Sequence, residues 1–218
     1  MSGSHHMLLQ EENLIHDNLM KMASIAAGEL ENAMAALMSQ RAELAQSVVD
    51  DDNDLNTLCR IVETECLHAL ALRQPVANDL REVVGSLQIA GELERIGDHA
   101  KDIAKIVLGM DPSDFSGPMS QISQMGDLSC KMLEQVMEAV SNKDEALARL
   151  AAEEDSEMDS LDNEAVSSLL MKIMSQPDVT MHSTHLLWIA YHLERVGDRV
   201  TNIAERVVFM VTNDTPDL

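Results

Sequence analysis

The chain carries one segment twice. Residues 93–108 and 193–208 align without a gap and share eight of sixteen positions. Leu93-Glu94-Arg95, Gly97-Asp98, Ile103-Ala104 and Val107 return as Leu193-Glu194-Arg195, Gly197-Asp198, Ile203-Ala204 and Val207. An internal repeat fixes the architecture before any local pattern is read. A period of about a hundred residues spans several helices, so the repeated unit is a helical subdomain rather than a single element.

Other landmarks are duplicated too. Asp52-Asn53-Asp54-Leu55-Asn56 is mirrored by Asp155-Ser156-Glu157-Met158-Asp159, and Gln74-Pro75 by Gln176-Pro177. Glycine and proline punctuate the chain. The pattern predicts six helices, over about 8–47, 50–73, 77–109, 119–141, 144–175 and 180–211. The run Asp50-Asp51-Asp52-Asn53-Asp54 is expected to cap and charge the start of the second. Residues 1–7, with His5 and His6, resemble a tag remnant and are set aside. The expected organisation is a first three-helix repeat over 8–110, a linker over 111–118, a second repeat over 119–212 and a tail over 213–218. Short connections favour antiparallel neighbours. No alternating strand pattern occurs, so the expected fold is all-α, a six-helix bundle of two tandem three-helix repeats.

Composition agrees. Apolar residues make up 45% of the chain but aromatics only 2%, with 16 Met. Such a core suits helix faces better than a pleated sheet. The formal charge of −23 repels phosphate backbones and anionic lipid, which argues against nucleic acid or a membrane surface as partner. It suits multivalent cations or a basic protein. Three cysteines, Cys59, Cys66 and Cys130, do not make a disulfide framework and point to a reducing compartment. Cys59 and Cys66, seven apart, are expected on one buried face. No apolar run is long enough to span a bilayer.

The candidate site lies on the repeated segment. At about 100° per residue, Leu93, Ile96, Gly97, Ala100, Ile103, Ala104 and Val107 share the core side. Glu94, Asp98 and Asp102 follow one another at spacing four on the other side, as do Glu194, Asp198 and Asn202. Like charges four apart destabilise a helix by a few tenths of a kcal/mol per pair, so such a row asks for compensation by arginine, lysine or a bound cation. Oxygen-only ligands suit magnesium, calcium, manganese or iron. One row holds too few ligands. Asp52 and Asn56 on the second helix, and Asp155 and Asp159 on the fifth, have the spacing to present a facing row in each repeat. An acidic row opposite an apolar stripe is ordinarily a solvated helix face; its duplication together with Gly97 and Gly197 sets this pair apart. Mid-helix glycine costs about 1 kcal/mol against alanine, and close helix approach is the expected reason. Glu65-x-x-His68 has the spacing of di-iron bundles but stands alone. His182 and His185 are expected at the surface or as caps, and Trp188 in the core. No phosphate loop, nucleophile elbow or Cys-His pair is present.

Glu94-Arg95-Ile96-Gly97-Asp98 and Glu194-Arg195-Val196-Gly197-Asp198 resemble the duplicated Glu(Asp)-x-x-x-Asp motif of the PhoU family of phosphate-signalling regulators. Gln74-Pro75-Val76-Ala77-Asn78-Asp79-Leu80-Arg81 and Asn202-Ile203-Ala204 are similar to the family as well, and the likeness runs from about residue 8 to 212. The resemblance implies a cytoplasmic protein, often a homodimer, that represses phosphate-starvation responses. It implies a non-enzymatic adaptor contacting a sensor histidine kinase and the ATPase of the phosphate importer. It also implies iron, manganese or magnesium on Glu94, Asp98, Glu194 and Asp198, with Asp52, Asn56, Asp155 and Asp159 as further ligands. Asp102 against Asn202 makes the two sites unequal in charge. The alternative use of the same carboxylates is a metal store or metalloenzyme.

Overall fold

Four helix stops in this chain are set by residues other than glycine that turn left-handed. Gln40, Gln74, Lys143 and Asn213 all have φ between 51° and 65°, the region that reverses the chain at a helix C-terminus. After Gln40, Arg41 N–H reaches Ala36 O at 3.1 Å; after Lys143, Asp144 N–H reaches Ala139 O at 3.0 Å. The same six-residue loop closes the first helix of both repeats.

The computed structural model describes residues 2–111 and 119–218, with side chains from residue 7 onward other than those of 51 and 52. The expected linker, after residue 111, and the Asp52 side chain therefore lie outside the described residues. The helices are α1 (Ser2–Ser39), α2 (Ala42–Arg73), α3 (Asn78–Leu108), α4 (Met119–Asn142), α5 (Glu145–Glu153), α6 (Asp155–Ser175) and α7 (Thr180–Thr212), with a 3₁₀ turn at Pro177–Val179. The six expected helices are present, the fifth in two pieces that meet at Glu154. No strand occurs among the described residues.

Four expectations need correction. The first helix ends at Ser39, not near residue 47, because Gln40 carries the stop that no glycine or proline signals. Asp50–Asp54 consequently lies inside α2 rather than capping it. Trp188 is 54% exposed. Leu186, Ile189, Ala190 and Leu193 take the buried phase of α7, and Trp188 falls between them, edge-on to Tyr191 at 6.0 Å. His182, expected at the surface, is buried at 3% exposure, whereas His185 is only partly covered.

One continuous core joins the repeats. It contains Leu30, Leu37, Leu55, Ile89, Leu93, Ile96, Ile103, Ile122, Met125 and Leu193, and Cys59 and Cys66 are buried within it as expected. Helix α3 packs against α1 and α2, and α7 against α4, α5 and α6. The two repeats meet where α3 lies along α7, with a second contact between α1 and α4. Helices α3 and α7 run antiparallel: Gly85 meets Met210, Gln88 meets Arg206, Glu92 meets Arg199, and His99 meets His192. Adding one hundred to α3 numbers gives the equivalent α7 positions, so a local quasi-twofold axis crosses this seam.

Candidate functional site

In the second repeat the acidic row of α7 faces the start of α6. The kink at Glu154 delivers Asp155 to the backbone of Gly197. A Cβ at position 197 would lie 2.7 Å from Asp155 Oδ1 and 3.4 Å from Met158 Cγ. The glycine thus gives room for a carboxylate as well as for close helix approach. Burial, then the charges of Asp159, Asp198 and Glu194, raise the Asp155 carboxyl to about 6. Burial likewise raises Asp162, two turns further along α6. The arrangement concentrates more acid than the local base neutralises, since crowding carboxylates disfavours the charged form.

Arg195 is the local counter-charge. Its guanidinium grips the Glu194 carboxylate in a two-pronged contact and reaches Asp198 Oδ2 at 2.8 Å. The group also lies 5.5 Å from the centre of the Tyr191 ring. Glu194 is well covered and Asp198 about one-third open, so the α7 row is partly covered by its neighbours.

The first repeat is built on the same crossing. Gly97 is crowded by Leu55 of α2, the counterpart of Met158, and a Cβ there would lie 2.9 Å from Glu29 Oε2. Asn56 follows Leu55 and is half-buried; Glu94 is half-buried and Asp98 exposed. Glu29 was not among the expected residues. It is 5% exposed, and the available signal is its place in the apolar stripe of α1, between Met22, Ala26, Ala33 and Ala36. A glutamate at core phase needs a polar reason.

Asp102 and Asn202 belong to the α3–α7 seam. Eight residues beyond Glu94 or Glu194, a helix has turned by about 80°. Asp102 pairs with Lys105 at 2.7 Å, and Asn202 donates through Nδ2 to Glu92 Oε2 at 3.2 Å. Glu65, of the lone Glu65-x-x-His68 pair, accepts from Asn18 Nδ2 at 3.0 Å and 3.3 Å, and ties α2 to α1.

No cluster of three His, Cys, Asp or Glu side chains is already converged on a metal position among the described residues. The donor chemistry nevertheless suits a hard cation. All donors are oxygens, Asp155 sits in a glycine cradle, and the charge around it is under-neutralised.

The fold and the site define a duplicated helical bundle, joined through its motif helices α3 and α7 and bearing carboxylate-rich rows beside paired glycines. The PhoU domain family matches residues 19–107 and 122–207, and the chain belongs to the PhoU family. The chain is 32% identical to the phosphate-specific transport system accessory protein PhoU homolog of Rhizobium meliloti (strain 1021), over 99% of this chain and 92% of that one. It is 37% identical to the protein of the same description in Caulobacter vibrioides (strain NA1000 / CB15N), over 89% and 85%. Among solved structures it resembles the phosphate transport system regulatory protein PhoU from Streptococcus pneumoniae, with TM-score 0.91, 28% identity, and 97% and 100% of the two chains covered. No helix among the described residues is long and apolar enough to cross a membrane.

Proposed function

We propose that this chain is a non-enzymatic accessory regulator of phosphate-specific transport, which docks on the importer ATPase and on a sensor histidine kinase from the cytoplasmic side as a homodimer. Its acidic rows take up iron, manganese or magnesium. Glu194, Asp198, Asp155 and Asp159 serve the second repeat; Glu94, Asp98, Asn56 and Asp52 serve the first. Asp102 and Asn202 border the two sites and make them unequal in charge. The observation that carries the reading is Asp155, held against Gly197 among three further carboxylates. Such a group gains from an added cation far more than from added arginine, because several oxygens can share one ion. The cation neutralises the rows and stiffens the α2–α3 and α6–α7 crossings, and so sets the helix faces that partners meet.

Metal content of the purified wild type, measured beside an Asp98→Asn, Asp198→Asn double variant, tests the site. The variant is expected to lose most of its bound metal; equal content in the two would refute the assignment. Pull-down from a membrane fraction is expected to retain an importer ATPase or a sensor kinase in stoichiometric amount. Failure with both would refute the adaptor role.

A further inference from the structure

The second contact between the repeats, where α1 lies against α4, leaves a groove of about 800 Å³. Met20, Ala23 and Ala27 of α1 and Leu133 and Met137 of α4 make its apolar floor. A smaller hollow of about 230 Å³ continues it past Met34 and Met38 to Ser123 and Gly126, and the two share Glu31, Asp127 and Cys130. From Met20 to Met38 the line runs about 27 Å at the rise of an α-helix, which is the length of a helix of about five turns.

Duplication explains the shape. The two helices run antiparallel, because low numbers of α1 stand beside high numbers of α4. Their left-handed stops, Gln40 and Lys143, are equivalent, and the same offset relates Ala23 to Gly126, Ala27 to Cys130, Glu31 to Glu134 and Met34 to Met137. Gly126 makes room for Met34, whose Cε would lie 2.5 Å from a Cβ there; Ala23 lines the groove with Met137 in the corresponding place. Each rim therefore carries an equivalent acid, Glu31 on one helix and Glu134 on the other.

The rims are acidic and unmatched. Glu31, Asp127, Glu134 and Glu138 line the groove and are exposed. None of the four enters an ion pair among the described residues, whereas Glu82, Glu92, Glu154 and Glu205 each do. Lys131 also lines the groove, but Glu154 holds it at 2.7 Å.

We propose that this groove docks a basic amphipathic helix of about five turns from a partner protein. Its apolar face lies on the methionine and alanine floor, as in other helix-in-groove complexes, and lysine or arginine on both flanks meets the two rims. Methionine lets such a floor adapt to the side chains laid on it. The rim charges steer the encounter and fix the register more than they add affinity. A second copy of this chain is a poor occupant, because a twofold axis would set Glu31 and Glu134 against their own copies. Anionic lipid is repelled for the same reason. The proposal takes a protein partner from the adaptor reading, and it takes nothing from the metal sites of α3 and α7.

The test titrates the full chain, carbon-13 labelled at its methionine methyls, with a helical peptide of about 18 residues that bears leucine on one face and lysine on both flanks. NMR is expected to show the methyls of Met20, Met34, Met38 and Met137 shifting together, while the exposed Met171, Met174 and Met181 stay unmoved. Glu31→Lys with Glu134→Lys is expected to weaken the peptide at least tenfold. The same charge change at Glu63→Lys with Glu164→Lys, exposed on α2 and α6, is expected to weaken it less than threefold. Absence of binding, shifts at Met171, Met174 and Met181 instead, or equal weakening by the two pairs overturns the proposal. So does equal binding of a peptide with glutamate in place of lysine. The wild-type shifts decide the matter even if a charge variant does not fold. A chain that takes the peptide in the groove yet retains neither importer ATPase nor sensor kinase fails the adaptor reading alone.

Discussion

Replacing Gly197 by alanine isolates the most constrained contact in the site. An alanine Cβ would stand 2.7 Å from Asp155 Oδ1 and 3.4 Å from Met158 Cγ. Real contacts of this kind are longer by roughly half an ångström or more, so α6 must back away or Asp155 must leave its cradle. Forcing a methyl group into a well-packed crossing costs about 1–3 kcal/mol. Alanine recovers about 1 kcal/mol of helix propensity, which leaves a net loss of about 0–2 kcal/mol. Gly28 provides the control, because a Cβ there meets nothing within 4 Å. Gly28→Ala is expected to stabilise by about 0.5–1 kcal/mol. The two variants should therefore differ by about 0.5–3 kcal/mol in urea unfolding of the metal-free protein, or roughly 1–12 °C in Tm for a chain of this size. An added Asp155→Ala should recover much of the loss, since the two positions touch and their effects couple. A Gly197→Ala protein as stable as Gly28→Ala would refute the cradle.

Three further outcomes follow from the same contacts. The folded Asp155 carboxyl keeps its proton to about pH 6, against 3.8 for an ordinary aspartate. Between these values the folded state binds more protons than the unfolded one, so stability falls as pH rises. The loss is about 1–2 kcal/mol after allowance for partial exposure; Asp155→Asn should flatten that part of the pH profile of the metal-free protein. Asp144 caps α5 by accepting from Leu147 N–H at 3.1 Å, so Asp144→Ala should cost about 1 kcal/mol in chemical denaturation. Trp188 is exposed, so its fluorescence should be readily quenched by acrylamide in the native state, and Trp188→Phe should change stability by less than about 1 kcal/mol; a shielded native emission would contradict the phase assigned to α7.

Much of the architecture was legible because it rests on signals that survive without tertiary context. The doubled Leu-Glu-Arg segment and the two Gln-Pro breaks mark the repeats, and the spacing of Leu93, Ile96, Ala100 and Ile103 marks the buried face of α3. What escaped depends on contacts that have no local signature. Gln40 ends α1 in a left-handed turn closed by the bond from Arg41 N–H to Ala36 O, and glutamine does not announce that role; the matching stop at Lys143 falls where the break after residue 141 was expected. The first boundary therefore moved by about eight residues, and the acidic run at 50–54 changed from cap to helix interior. Trp188 was misplaced because its apolar neighbours in sequence do not share its phase. Of the site, the i, i+4 spacing gave Asp155 and Asp159 as a row that would face Glu194 and Asp198 if the two helices were adjacent, and α6 does pack on α7. Glu29 was not legible, because the sequence does not show that Gly97 opens onto α1. The meeting of His99 with His192 required the antiparallel register of α3 and α7, which no single helix contains.

That register has a consequence for how such a chain can come apart. Each repeat offers its motif helix as one half of the antiparallel pair, and its natural complement has nearly the same shape. A lone repeat would thus present a self-matching face, and two copies could close on each other about the axis that now relates α3 to α7. Cleavage between the repeats should accordingly yield halves that re-associate with each other or with themselves, and the unequal residues of the seam, glutamate with arginine on one flank and paired histidines on the other, would decide which.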